Sequence, residues 1–159
     1  MDSWHNIAMS LRGAYLAMHR QADSEFARRG ITADQFVVLA VLVDGTIRSQ
    51  SAVCRLTYSD PNTMGAMLAL METRGLVKRM RHEADRRKRT VAITQKGKRI
   101  FAKLWSGREA TRKRMEALFT GAEVEALVGL LRRIIQELST VHRRSRRRNK
   151  KMSDGQLNT

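Results

Sequence analysis

Cysteine and proline each occur once in the 159 residues, and the eight aromatic side chains make up only 5% of the chain. A lone cysteine, Cys54, cannot close an internal disulfide, so no disulfide framework is expected and a reducing cytoplasm suits the protein. Acidic side chains are scarce, 15 against 31 lysines and arginines, which leaves a net charge of +16 and an isoelectric point near 11.4. Long apolar runs are missing. The longest, Phe36 to Val43, falls far short of the roughly 20 residues that cross a bilayer. Met1-Asp2-Ser3-Trp4-His5 is not a basic start followed by an apolar stretch, so neither a membrane span nor a secretory leader is expected. His5, His19, His82 and His142 show no ligand spacing with one another or with Cys54, and Lys96-Gly97-Lys98 lacks the earlier glycine and the following hydroxyl of a phosphate loop. No nucleophile is paired with a base, so the sequence points to neither catalysis nor a metal or cofactor.

What the chain does have is basic charge, unevenly placed. Residues 1–73 net −1, whereas residues 74–89, 90–141 and 142–159 net +6, +5 and +6. Concentration in one short stretch, one helical region and a tail suggests a polyanion partner rather than general solubility, and nucleic acid is the common polyanion.

Apolar spacing organises the rest. Trp4, Ile7, Ala8, Leu11, Tyr15, Met18, Ala22 and Phe26 recur at threes and fours and predict one amphipathic helix over 4–26. Thr32 and Gln35 form a capping box with Ile31 stapling onto Phe36, so the run to Val43 reads as a buried helix ending near Asp44-Gly45 rather than a strand. A short helix follows from about Ser49 to Thr57. Asp60-Pro61 then starts a helix of about 14 residues, with Met64, Met67, Leu68 and Met71 on its inner face and Arg74-Gly75 as its stop. Beyond it, alternation over about 76–82 and 89–94 around Glu83-Ala-Asp-Arg-Arg-Lys88 predicts a two-stranded hairpin with a basic tip. Thr94 caps a long basic helix carrying Ile100, Phe101, Leu104 and Trp105. Thr120 and Glu123 form a second capping box, with Phe119 and Val124 as its staple, ahead of a helix striped by Val124, Leu127, Val128, Leu131, Ile134, Ile135 and Leu138. From His142 onward the composition cannot bury a core. The methionine stripe and Cys54 read as core packing, with a redox role for Cys54 the lesser alternative.

Two helices, the second started at a proline, followed by a basic hairpin, describe a winged helix-turn-helix. The stretches Asp60-Pro-Asn-Thr63, Met71-Glu72-Thr-Arg74-Gly-Leu-Val77, Asp85-Arg-Arg87 and Val91-Ala-Ile93-Thr94-Gln-Lys-Gly97, in that order, resemble the multiple-antibiotic-resistance regulator (MarR) family of bacterial repressors over about residues 30–105. The chain also departs from the pattern. Gly65 and Ala66 stand where the family often has a hydroxyl and an arginine, and Leu56-Thr-Tyr58 stands at the usual Leu-Gly-hydrophobic turn.

The expected fold is mainly α with a two-stranded β-wing, a winged lobe flanked by long N- and C-terminal dimerisation helices. Residues 1–30 form the first dimerisation helix, 31–95 the DNA-binding lobe, 96–141 the C-terminal dimerisation helices and 142–159 a basic disordered tail. The resemblance implies a homodimer that contacts double-stranded DNA, represses transcription from a palindromic operator, and takes a small aromatic or anionic effector in many members. DNA contacts fall to Gln50, Asn62, Thr63, Gly65, Ala66, Arg74, Arg86, Arg87 and Arg89, with Asp85 bracing the wing. Ile7, Leu11, Leu127, Leu131, Ile134 and Leu138 fall at the dimer interface. With the methionines inward, Asn62, Ala66, Ala69 and Thr73 face out as a small surface suited to an A·T-rich half-site. The rival reading is an RNA-binding or ribosome-associated basic protein. RNA readers stack bases on exposed aromatics, and this chain has few, most of them on apolar stripes.

Overall fold

Asp2 starts the first helix by accepting a hydrogen bond from the Trp4 N–H, and α1 runs over Ser3–Phe26. A 3-10 turn at Ala27–Arg29 ends in Gly30, at φ 62°. The computed structural model describes the backbone of residues 2–81 and 89–155 and the side chains of residues 2–81 and 89–139. The chain divides into two units, Met1–Glu109 and Ala110–Thr159.

In the first unit the expected capping box is present. Thr32 accepts from the Gln35 N–H, and the Gln35 side chain accepts from the Thr32 N–H. Asp23 of α1 adds a third bond, accepting from the Ala33 N–H at 2.6 Å. The apolar run that follows is helix α2, Ala33–Leu42, and it buries Phe36, Val38, Leu39 and Leu42. Two further helices come next, α3 at Gln50–Thr57 and α4 at Pro61–Thr73.

The sheet differs from expectation. β2, Val77–Arg81, pairs with β3, Arg89–Ile93, as the predicted antiparallel hairpin, in a register that sets Arg79 opposite Val91. A third strand, β1 at Arg48–Ser49, joins the other side of β3 and gives the order β1-β3-β2. Two residues are too few to show any alternation, which is why the two-stranded reading missed it. The hairpin tip, 82–88, lies outside the described residues.

Thr94 caps α5, Gln95–Gly107, by accepting from the Gly97 N–H. The helix breaks at Gly107-Arg108, so the single long basic helix becomes two. Half of the eight aromatic side chains line up where α1, α2 and α5 meet. Ring centroids are 4.7 Å apart for Phe26–Phe36, 5.2 Å for Phe36–Phe101 and 5.9 Å for Phe101–Trp105, and such pairs each add about 0.5–1.5 kcal/mol beyond area burial. Arg108 lies over the Phe26 ring and donates to Glu25 at 2.8 Å. The core also takes in Ile31, Val53, Cys54, Met64, Leu68, Met71, Leu76, Val77, Val91 and Leu104.

Helix α6, Glu109–Glu116, begins at the last residue of the first unit, and the second unit consists mainly of α7, Gly121–Gly155. The Thr120–Glu123 box is formed in both directions. Val124, Leu127, Val128, Leu130, Ile135 and Leu138 are exposed, and Leu131 and Ile134 are half-buried. The helix does not stop near 141 but continues to Gly155. Arginine and lysine are good helix formers, and no proline interrupts them. No helix of the described residues is long and apolar enough to cross a membrane.

A Cβ added at Gly97 would lie 2.2 Å from the Leu76 carbonyl oxygen and 2.8 Å from the Ile93 side chain. The Leu76 backbone cannot give way easily. Gly97→Ala is therefore expected to destabilise the protein by about 2–3 kcal/mol and lower the thermal midpoint by about 5–10 °C, which differential scanning calorimetry would measure.

Candidate nucleic-acid interface

Two capped helices and the hairpin meet at one face of the first unit. Ser49 accepts from the Ala52 N–H and starts α3. Asp60 accepts from both the Asn62 and Thr63 N–H groups at 2.9 Å, and Pro61, which has no N–H to satisfy, takes the first position of α4. Hydrogen bonds from Thr63 hold the Asp60 carboxyl below the usual carboxylate range. In the turn between the helices the Ser59 N–H donates to the Cys54 carbonyl, and Tyr58 takes a left-handed conformation, φ 54° and ψ 29°. The glycine-like geometry of this turn thus falls on Tyr58, not Thr57.

The inner face of α4 buries Met64, Leu68 and Met71, with Met67 half-buried. Asn62, Thr63, Ala66 and Thr73 are exposed, and Gly65 and Ala69 are half-buried. A Cβ on Gly65 would meet the Gln50 amide nitrogen at 3.6 Å, so the start of α3 lies directly beside the outward edge of α4. Gln50, Asn62, Thr63, Gly65 and Ala66 are thereby brought onto one surface. Arg89 is exposed at the start of β3, paired in register with Arg81. Asp85, Arg86 and Arg87 lie outside the described residues.

Arg74 does not join that surface. Its guanidinium donates to the Gly30 and Arg29 carbonyls and to the Gln35 side chain, which ties the end of α4 to the turn after α1. Cys54 is buried in the core, and desolvation pushes its thiol up from the ordinary value, away from the thiolate that a redox sensor needs. Among the described residues no group of three His, Cys, Asp or Glu is placed to hold a metal ion.

No protein-family model matches the chain. Transcriptional regulator HosA of Escherichia coli O111:H- is 30% identical over 105 residues, covering 66% of this chain and 78% of HosA. The chain belongs to the MarR family of transcriptional regulators. Among solved structures, the transcriptional repressor CouR bound to a 23-mer DNA duplex superposes with a TM-score of 0.69 at 27% identity, covering 79% of this chain and 89% of CouR. MepR of S. aureus in its DNA-binding conformation reaches 0.74 at 18% identity, over 83% of this chain and 98% of MepR, a likeness of fold. The winged helix-turn-helix expected from the sequence is the fold observed.

Sequence reasoning missed the brace at the base of this MarR wing. Glu72, in the last turn of α4, accepts from the Arg79 N–H through one carboxylate oxygen and from the Arg79 Nε through the other, both at 2.8 Å. The signal was present, because an acid in the last turn of a helix opposes the macrodipole and calls for a local partner. The Arg79 N–H and then its guanidinium hold the Glu72 carboxyl below its ordinary value. A carboxyl depressed by folding contributes stability that is complete above its unfolded value, near 4.3, and is lost as pH falls through the folded value. The wild type should therefore lose stability on acidification below about pH 4.3, and Glu72→Gln should flatten that part of the profile. Because the side chain is 35% exposed, the difference will be modest. Urea titrations between about pH 3 and 6 would measure it.

Proposed function

We propose that this MarR-family regulator is a sequence-specific repressor that binds a palindromic operator in double-stranded DNA as a homodimer, and that a small aromatic or anionic effector releases it. The observation that carries this reading is the outward face of α4. It starts at a doubly bonded Asp60 cap, presents Asn62, Thr63 and Ala66 without long side chains, and stands beside a hairpin bearing Lys78, Arg81 and Arg89. A face so small can seat deeply in the major groove, where Asn62 can pair with an adenine edge and Ala66 can touch a thymine methyl. The hairpin, with Arg86 and Arg87 near its tip, follows the backbone toward the minor groove, where a held arginine senses groove width. CouR, at 27% identity, is a repressor with DNA bound.

The dimer rests on uncovered apolar surface. In a single chain Trp4, Ile7, Tyr15 and Met18 of α1 and Leu127, Leu130 and Leu138 of α7 are exposed, more than a soluble monomer ordinarily leaves open. A symmetric partner bearing the same stripes is the economical cover.

Selection of fragments from the organism's own genome should recover a palindrome whose A·T-rich half-sites lie about one helical turn apart. Recovery of structured RNA in preference to duplex DNA would overturn the reading. In binding assays Asn62→Ala should weaken the operator complex by about 1–3 kcal/mol while leaving a random duplex nearly unchanged. An equal loss on both duplexes would move sequence recognition away from α4. Leu131→Glu should convert the dimer to a monomer by analytical ultracentrifugation and abolish tight operator binding, whereas a wild-type monomer with full operator affinity would remove the homodimer.

A further inference from the structure

Among the described residues, Tyr58 is the non-glycine residue with positive φ. An L side chain in that region crowds its own carbonyl, a penalty glycine does not carry. The ring gains no packing in exchange, since the residue is 77% exposed, and its hydroxyl makes no hydrogen bond among the described residues. A strained, exposed aromatic in a turn that glycine would make more comfortably points to a contact outside the folded chain.

Beside Tyr58 opens a hollow of about 650 Å³, lined among others by Gln50, Ser51, Arg55, Pro61 and Arg89. Among the described residues its lining holds two guanidinium groups, three serine hydroxyls and no carboxylate. The nearby Asp60 carboxylate is occupied by the Asn62 and Thr63 amides. Arg55 is exposed and in no ion pair among the described residues. The hollow lies between the start of α3, the first residue of α4 and the start of β3, which places it on the flank of the outward α4 face.

Resting on the DNA-binding reading above, we propose that this hollow seats a phosphodiester of the strand bordering the groove that α4 enters. Arg55 and Arg89 balance the charge, and the Tyr58 hydroxyl donates to a phosphate oxygen from the rigid left-handed turn. Such a contact fixes register and supplies affinity without reading sequence, so the test does not depend on knowing the operator.

The probe is a random-sequence DNA duplex about three helical turns long, titrated at two salt concentrations alongside thermal unfolding. Glycine and asparagine both accept the left-handed conformation. Tyr58→Gly and Tyr58→Asn are expected to unfold at the wild-type temperature or a few degrees higher, yet to bind the duplex about three- to tenfold more weakly. Arg55→Gln should weaken binding similarly and reduce the slope of log affinity against log salt by about one. Wild-type affinity in all three variants would overturn the proposal. So would a binding loss matched by a lower unfolding temperature in both Tyr58 variants, which would make the residue a structural one. Inorganic phosphate that raises the wild-type unfolding temperature while the variants bind duplex normally would mark a free-anion site and equally overturn it. A wild type that does not bind duplex DNA at all would instead remove the regulator reading itself.

Discussion

The arrangement of the winged lobe depends on how the carbonyl groups leaving α4 are satisfied. The last turn of α4 is closed locally, its Leu70, Met71 and Glu72 carbonyls accepting from the Arg74, Leu76 and Gly75 N–H groups, so it is the next three carbonyls that need partners from elsewhere. Here the Arg74 carbonyl accepts from the Lys96 ammonium at 2.7 Å, the Gly75 carbonyl from the Thr94 hydroxyl at 2.7 Å, and the Leu76 carbonyl from the Thr94 N–H at 3.1 Å. Three successive acceptors are thus closed by two residues on the far side of the hairpin. Thr94 also caps α5, so one residue ties down the chain leaving α4, joins the sheet's edge to it and begins the next helix. The absence of a Cβ at Gly97 lets the backbones approach closely enough for this to happen. Everything that α4 presents outward inherits its direction from that junction.

A second junction holds the opposite side. Asp23 extends the cap of α2, and His19 lies within 3.1 Å of Asp23 and 3.4 Å of Asp34. Arg74 enters the same corner through the Gly30 and Arg29 carbonyls. The end of α4 is therefore bonded both to the start of α5 and to the turn between α1 and α2. A displacement of α1 has a hydrogen-bonded route to α4 that does not pass through the hydrophobic core.

Much of this was legible because the signals are local. The Thr32–Gln35 and Thr120–Glu123 boxes, the Asp60-Pro61 start and the Arg74-Gly75 stop each rest on residues within a few positions of one another, and each formed as read. The inward set Met64, Leu68 and Met71 followed from helical spacing alone. What escaped reading was non-local or too short. Strand β1 has two residues, and its pairing with Val91 and Thr90 is a matter of tertiary approach. Arg74, placed among the DNA contacts by the family resemblance, is held instead by the Gly30 and Arg29 carbonyls, partners far away in sequence. The Glu72–Arg79 brace spans a turn and a change of secondary structure, and periodicity carries no information across such a change. The expectation of a disordered tail from His142 rested on composition, but lack of a core and lack of helicity are separate questions, and α7 is helical as far as Gly155.

The sheet order has a further consequence for how the molecule behaves at concentration. β3 is paired on both sides, while β2 forms one outer margin, whose central N–H, that of Arg79, is already taken by Glu72. That margin reads Val77-Lys-Arg-Met-Arg81, with a cation at three of five positions. Approach of an identical margin would bring the exposed Lys78 and Arg81 of the two copies together, so edge-to-edge pairing is electrostatically disfavoured. The basic edge of the wing thus opposes pairing of one copy's sheet with another's.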